Sequence, residues 1–455
     1  LGKIKSINPA TEELNEEFNL YSQQVVNQKI GDSRKAFAQW KNEPLCERTF
    51  SIECVGEVLR DRKEELAELI TTEMGKPIRE ALSEIEKCAW TCDYFAKNAE
   101  SFLASEFVET DAETSGYVYE PAGVILSIMP WDFPFWQALR FGIPSVAGGN
   151  TVLLKHASNV PMCALEIENI FIEAGFSEGI FQTLLIDGNT ASSLISREEI
   201  NAVSFAGSRP AGEKVAEAAG KYIKKFILEL GGSDPLIVLE DADIDKVAKA
   251  AVMARFQNCG QSCIAAKRLL IDEKIADVFI EKFTTHVQNL KIGDPMDPAT
   301  DMGPMASRIQ IDCLEEQIKQ SMKSGAQTIL EGGRTDERGY FYKPVILSNI
   351  NENAPVVMEE TFGPVAPIIT FNNEEEAIKI ANNTEFGLGA SIWSRDKNRA
   401  MRMTKHIEAG VITVNNIVSS DPRLPFGGMK KSGIGREMYR HGMLEFMNVK
   451  SMKVY

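Results

Sequence analysis

The segment Phe256-Gln257-Asn258-Cys259-Gly260-Gln261-Ser262-Cys263 ends a helix-like run on a thiol. A cysteine becomes a nucleophile at neutral pH when its pKa is lowered or a base stands nearby. Upstream lies Glu229-Leu230-Gly231-Gly232, a carboxylate followed by two residues without side chains. Such a pair lets backbone approach closely. A thiol with a separate carboxylate base is a constellation for covalent catalysis. Cys259 stands four residues before Cys263, where a disulfide would block the thiol reversibly and a small packed side chain would do nothing. The other cysteines read as buried or idle thiols. Cys88 and Cys92 are spaced C-x-x-x-C, and His156, His286, His406 and His441 stand far apart. That spacing offers no zinc-type ligand set.

These groups need a scaffold to bring them together. Residues 26–105 read as mainly helical, with apolar residues at helical spacing through Ile52 to Leu59 and Glu64 to Ile70. From Tyr117 the texture changes. Gly123–Ile128, Thr151–Lys155, Gly179–Leu185 and Ala202–Phe205 are short apolar runs, and Pro161–Ala174 between them is helical. The rhythm restarts after Gly232, with a strand at Pro235–Leu239 and a helix capped near Asp241 or Asp243 and running through Arg255. Strands alternating with helices imply parallel sheets, hence two α/β domains meeting near residue 230. Asn448 to Tyr455 reads as an extended strand that pairs outside its own domain.

Several segments carry a family resemblance. The Cys263 segment resembles the nucleophile motif of the NAD(P)-dependent aldehyde dehydrogenase superfamily, and Glu229-Leu230-Gly231-Gly232 resembles its general-base motif. Glu359-Glu360-Thr361-Phe362-Gly363-Pro364 is similar to its Glu-Phe-Gly-Pro element. Pro425–Lys430 and Ser432–Glu437 are similar to its C-terminal signature. The matches run in family order from Asn8-Pro9-Ala10-Thr11 to the C-terminus. The resemblance implies a Rossmann-like cofactor domain over residues 1–110 and 122–229, and a second α/β domain with the nucleophile over 230–428. It also implies a small β oligomerisation element at 111–121 and 441–455, and a homodimer or homotetramer.

The implied reaction is attack of Cys263 on an aldehyde, hydride loss to NAD or NADP, and hydrolysis of a thioester by water that Glu229 activates. There is no G-x-G-x-x-G fingerprint. Phe205–Gly212 resembles the family's Phe-Thr-Gly-Ser element, with Ala206 for Thr, so Gly207 and Ser208 are expected to face the pyrophosphate. By resemblance Lys155 binds the adenine ribose, Glu360 the nicotinamide ribose, and Phe362 and Trp131 pack beside the cofactor. Three residues after Lys155 the family often has a Glu that repels a 2′-phosphate. Ser158 stands there, so NADP is tolerated.

Asp132 is the departure of most consequence. Where the family has Pro-Trp-Asn-Phe-Pro, this chain has Pro130-Trp131-Asp132-Phe133-Pro134. The family Asn donates to the oxyanion, whereas an ionised carboxylate only accepts. Losing one oxyanion donor costs about 10²–10³ in rate. A protonated Asp132 could donate as Asn does, with the Cys263 backbone N–H as the second donor; otherwise Asp132 points elsewhere. For the substrate, Arg140 occupies a position where succinate-semialdehyde dehydrogenases carry a carboxylate-binding Arg, and Gln257 occupies the slot of their second Arg. Ser419, Ser420 and Arg423 precede Pro425 in a region that shapes the tunnel, and Arg423 is a candidate for the missing charge. Succinic semialdehyde is the expected substrate. The alternatives are a broad aliphatic aldehyde dehydrogenase, a binding protein weakened at Asp132, and thioester transfer to a thiol such as coenzyme A.

Composition narrows the partners. The chain has 455 residues with 65 acidic against 49 basic, a net charge of −16. That argues against nucleic acid or an anionic membrane as the main partner. The most apolar stretch, Pro121–Leu154, is broken by prolines, glycines and charges, and so is no membrane span. Leu1 to Pro9 lacks a basic start and an apolar core, so a reducing cytoplasm is the expected setting.

Overall fold

The computed structural model describes residues 2–455. Two parallel sheets carry the site. The first has the spatial order Gly433–Ile434, Lys225–Glu229, Ala202–Ala206, Val124–Met129, Thr151–His156, Phe181–Thr183. All its pairings are parallel except that of Gly433–Ile434, which runs antiparallel to Lys225–Glu229. The chain builds outward from Val124–Met129 in one direction, then returns to build the other side. The crevice between Val124–Met129 and Ala202–Ala206 is therefore a topological switch point, where open α/β sheets bind ligands.

The second sheet has the order Gln327–Leu330, Val345–Ser348, Val365–Phe371, Arg268–Asp272, Pro235–Val238, Gly389–Trp393, Val411–Val414. Only its first pair is antiparallel. The buried strands of both sheets are near-continuous apolar runs, as expected where helices cover both faces. The apolar runs at 123–128, 151–155, 202–205 and 235–239 are strands, and the helices at 161–174 and through Arg255 form as Pro161–Glu173 and Ile244–Phe256. The 179–185 run makes only Phe181–Thr183. Gly179 turns at φ +95° before it, and Ile186 N–H bonds back to Leu184 just after it.

Four helices precede the first sheet, ending with the long helix Ile78–Leu103. One stripe of it is buried, including Ala81, Ile85, Cys88, Cys92, Phe95 and Phe102. This is the 3.6-residue periodicity of an amphipathic helix. Cys88 and Cys92 are thus core thiols, pushed up by burial. Helix Pro134–Ala147 is buried all along its length and wedges between this helix and the first sheet.

A third, antiparallel sheet joins Glu106–Phe107, Thr114–Pro121 and Met447–Val454. Its register runs from Met447 opposite Pro121 to Val454 opposite Thr114. Residues 439–445 before the last strand are helical rather than extended. Gly433–Ile434, far along the chain, belongs to the first sheet. Among the described residues no helix is long and apolar enough to cross a membrane.

Candidate active site

The nucleophile loop lies between helix Ile244–Phe256 and strand Arg268–Asp272. It is tightly wound. Asn258, Cys259 and Gly260 take φ of +52°, +57° and +71° in succession. Non-glycine residues there cost about 1 kcal/mol or more each, so the surroundings must hold them. They do. Asn258 donates from Nδ2 to the Asp132 carbonyl at 2.8 Å and the Gln261 carbonyl at 2.9 Å. Its own N–H donates to Glu80 at 2.8 Å. Gln261 returns a bond to the Asn258 carbonyl and accepts from Ala306 N–H. Buried Arg255 donates to the carbonyls of Gly260, Gly363 and Val365. A Cβ at Gly260 would meet the Gly363 carbonyl oxygen at 2.6 Å. Beyond the turn, Lys267 donates to the Ser262 and Cys263 carbonyls at 2.8 and 2.7 Å. The whole segment serves to aim one side chain.

Cys263 is half-buried where two cavities meet, and it lines both. Its thiol is pushed up to about 12, first by burial and next by Asp132, against Arg140 and Lys267. Asp132 is 2% exposed. Burial lifts its carboxyl to about 6, although Lys76, Arg140 and Gln137 pull the other way. Gln137 Nε2 donates to its two oxygens at 3.1 and 3.4 Å and so fixes the carboxyl plane. Glu229 ends its strand and is buried, with neither carboxylate oxygen hydrogen-bonded. Burial, and then repulsion from Glu437, hold it well above the carboxylate range.

The first cavity lies at the switch point. Trp131 follows strand Val124–Met129, and Gly207 and Ser208 follow strand Ala202–Ala206. Ser208 precedes helix Arg209–Lys221, whose free N–H groups open there. Glu360 and Phe362 close the far wall. Glu360 accepts from Gly232 N–H at 3.1 Å and pairs with buried Lys267 at 3.1 Å. A Cβ on Gly231 would meet Glu360 Oε2 at 2.1 Å, which is why glycine follows the Glu229-Leu230 pair. Trp131 and Phe362 meet edge to face at 5.5 Å. Lys155, next to last in strand Thr151–His156, is half-buried with its ammonium lowered by burial, and Ser158 is exposed just beyond; neither lines the cavity itself. Helix-end donors, an aromatic pair and a lysine at strand ends suit an anionic dinucleotide.

The second cavity lies on the other side of Cys263. It is walled by Phe133, Trp136 and Phe426, by the loop Ile417–Ser420, and by one face of helix Ile78–Leu103. Arg140 reaches both cavities but is ion-paired with buried Glu437 and lies over the Phe426 ring at 4.9 Å. Ser420 and Gln257 line the second cavity. Arg423 is not brought to it. Its side chain is 63% exposed, chelated by Asp421 of its own loop at 2.6 Å and laid over Trp90 at 5.2 Å. The short Asp421-Pro422-Arg423 spacing closes that local pair and spends the charge outside the cavity.

Three groups of the site escape a sequence reading. Glu437 faces Glu229 and Arg140; Gln137 holds Asp132; Lys87 stands in the second cavity. Gln137 was discoverable in principle, five residues after Asp132 in the first turn of helix Pro134–Ala147. Lys87 carries no local motif. Among the described residues no cluster of His, Cys, Asp and Glu could hold a metal ion.

A thiol that lines both a cavity at the sheet's switch point and a second cavity, with the Glu229 carboxylate in the first, suits a nicotinamide-dependent oxidoreductase that works through a covalent thiol adduct. Residues 2–452 match the aldehyde dehydrogenase family, and the chain belongs to that family. It is 47% identical over 449 residues to a probable succinate-semialdehyde dehydrogenase NADP(+) of Synechocystis sp., covering 99% of each chain. It is 40% identical over 452 residues to succinate-semialdehyde dehydrogenase NADP(+) 1 of Mycobacterium tuberculosis, again 99% of each. A solved structure of succinic semialdehyde dehydrogenase from Streptococcus pyogenes in complex with NADP+ superposes with a TM-score of 0.97 at 36% identity, covering 99% of each. The fold is that of the aldehyde dehydrogenases, and the chain is an NAD(P)-dependent enzyme acting on aldehydes.

Proposed function

We propose that this enzyme oxidises a short ω-carboxy aldehyde, succinic semialdehyde first, to the dicarboxylate, with NADP preferred over NAD. The observation that carries the reading is the second cavity. It is small, about 150 Å³, walled by aromatic rings, and carries Arg140 and Lys87 together with Glu80 and Glu84, the two carboxylates each bonded within the protein. The names of the two curated relatives support the same substrate and cofactor. Ser158, which brings no negative charge where a 2′-phosphate would lie, supports NADP.

In this reading Cys263 loses its proton to solvent water, and the thiolate attacks the aldehyde carbon to form a thiohemiacetal. Its oxyanion is held by the Cys263 backbone N–H and by protonated Asp132, whose plane Gln137 fixes. A nicotinamide held in the first cavity would supply the hydride acceptor, and loss of the hydride would leave a thioester on Cys263. Glu229 takes a proton from water, and the hydroxide cleaves the thioester. Glu437 and Arg140 beside it set how readily Glu229 ionises. Gly207, Ser208, Glu360, Phe362 and Trp131 would hold the cofactor in the first cavity, with Lys155 beyond it on the neighbouring strand. Hydrolysis is favoured over transfer to coenzyme A because Glu229 lines the cavity it would serve.

An aldehyde panel run with both cofactors tests the proposal. Succinic semialdehyde with NADP is expected to give the highest kcat/KM, and a higher value for hexanal or benzaldehyde would sink it. The enzyme is further proposed to work in the cytoplasm as a homodimer or homotetramer built on strand Met447–Val454, whose Val449, Met452 and Val454 are exposed. A monomer by light scattering would exclude the assembly.

A further inference from the structure

The charged groups around the second cavity can be accounted for one by one, and one is left over. Arg140 is paired with Glu437. Glu84 is paired with buried Lys76 and also accepts from Phe135 and Trp136 N–H at 2.9 and 3.0 Å. Glu80 accepts from Asn258 N–H. Arg423 lies outside on Asp421. Lys87 has no carboxylate within ion-pair distance among the described residues. Its ammonium donates to Ser420 Oγ at 2.7 Å and sits over the Trp136 ring at 4.2 Å.

These contacts fix the place of the charge without neutralising it. A ring face attracts a cation through its negative quadrupole. A hydroxyl that accepts from Lys87 keeps its own proton to donate. Together they present an ammonium and an O–H to one point on the wall of a cavity that also holds Cys263. That pairing fits a carboxylate, one oxygen to each donor. Burial, and then Arg140, push the Lys87 ammonium down to about 8, and an incoming anion would relieve both effects. The Arg140 guanidinium, already compensated, is the poorer partner for a second carboxylate.

We propose that Lys87, acting with the Ser420 hydroxyl, binds the distal carboxylate of the substrate and sets the preference for ω-carboxy aldehydes. This rests on the semialdehyde reading above. The test measures, for each enzyme preparation, the ratio of kcat/KM for succinic semialdehyde to that for pentanal. Using one preparation for both aldehydes cancels any loss of folded enzyme. Lys87→Met is expected to lower the ratio about 10–100-fold through the semialdehyde arm, the range for a hydrogen bond to a charged group. Lys87→Gln, which keeps a donor for Ser420, is expected to lower it comparably if methionine packs poorly. Lys87→Arg should retain most of it. An unchanged ratio in both neutral variants overturns the assignment, as does a fall in Lys87→Arg as deep as in Lys87→Met. A wild-type ratio near one overturns the semialdehyde reading and this inference together. A high wild-type ratio that survives in both Lys87→Met and Lys87→Gln overturns the Lys87 assignment alone.

Discussion

The two sides of Cys263 are built differently. On the side proposed for the cofactor, most of the proposed groups stand at or just past the carboxyl ends of neighbouring parallel strands: Trp131, Lys155, Gly207 and Glu229. Strand spacing sets their separations, and short turns hold their directions. On the substrate side the groups come from a helix face, a second helix and a loop before Pro425. There the helix packing sets the distances, and a side chain such as Lys87 is positioned only by what it touches. One side repeats a backbone geometry, whereas the other is assembled from surfaces. In the proposed reading, the sheet positions most of the cofactor groups, and packed surfaces position the substrate groups.

Several substitutions can break or sharpen that contrast. The largest effect is expected at the junction. Cys263→Ser should lower kcat at least about 10⁴-fold, as removal of a nucleophile does, while binding of NADP by fluorescence quenching stays intact. Loss of cofactor binding would mean that the two sides are not separable. Glu229→Gln should lower kcat about 10²–10⁴-fold, yet retain a burst of reduced cofactor before turnover stalls at the thioester. Absence of the burst would place Glu229 in the first half of the reaction.

Asp132→Asn comes next, and its sign depends on pH. The donating form of Asp132 is the protonated one, and its carboxyl is lifted to about 6. Its contribution is present below that pH and fades above it, whereas an amide donates throughout. The variant should therefore outrun the wild type by about 10–100-fold near pH 8, within the range for one oxyanion donor. The gap should narrow toward about pH 5. It should also react faster with iodoacetamide, because Asp132 is the largest charge raising the Cys263 thiol. Coincident pH–rate profiles would show that Asp132 does not face the oxyanion.

The same substitution reads out stability. A folded-state pKa raised above the unfolded value near 4 means that the charged form is disfavoured by folding. The penalty is absent below about pH 4 and complete above about pH 6. Asp132→Asn should then be more stable to urea by about 1–3 kcal/mol near pH 8 and equal below about pH 4. The smallest change belongs to the cofactor side. Ser158→Glu should lower the NADP-to-NAD ratio of kcat/KM about tenfold by placing like charge near a 2′-phosphate. An unchanged ratio would move the phosphate away from Ser158.

The same contrast explains what the sequence disclosed. The strands around the first cavity were legible as apolar runs ended by glycine, proline or a functional residue, and the motifs sat at those ends. Lys87 was not legible. Glu80, Ser83, Glu84 and Lys87 recur at i, i+3, i+4 and i+7, which in a sequence is the solvated face of an amphipathic helix. Only packing against Trp136 and the Ser420 loop turns that face into a cavity wall. Arg140 was legible as a cavity cation, but not its partner, because Glu437 arrives from the far end of the chain. Arg423 misled because an arginine in a tunnel loop says nothing about an aspartate two residues before it.

The short strand Gly433–Ile434 lies against Glu229, with Gly433 opposite it, and Glu437 follows to meet Arg140. On the ribosome these residues emerge after the nucleophile, the base and every strand of the cofactor crevice. A nascent chain that already carries Cys263 still lacks the strand that borders Glu229 and the carboxylate that compensates Arg140. The walls around Glu229 and Arg140 are therefore complete only once the last part of the chain has been made and has docked.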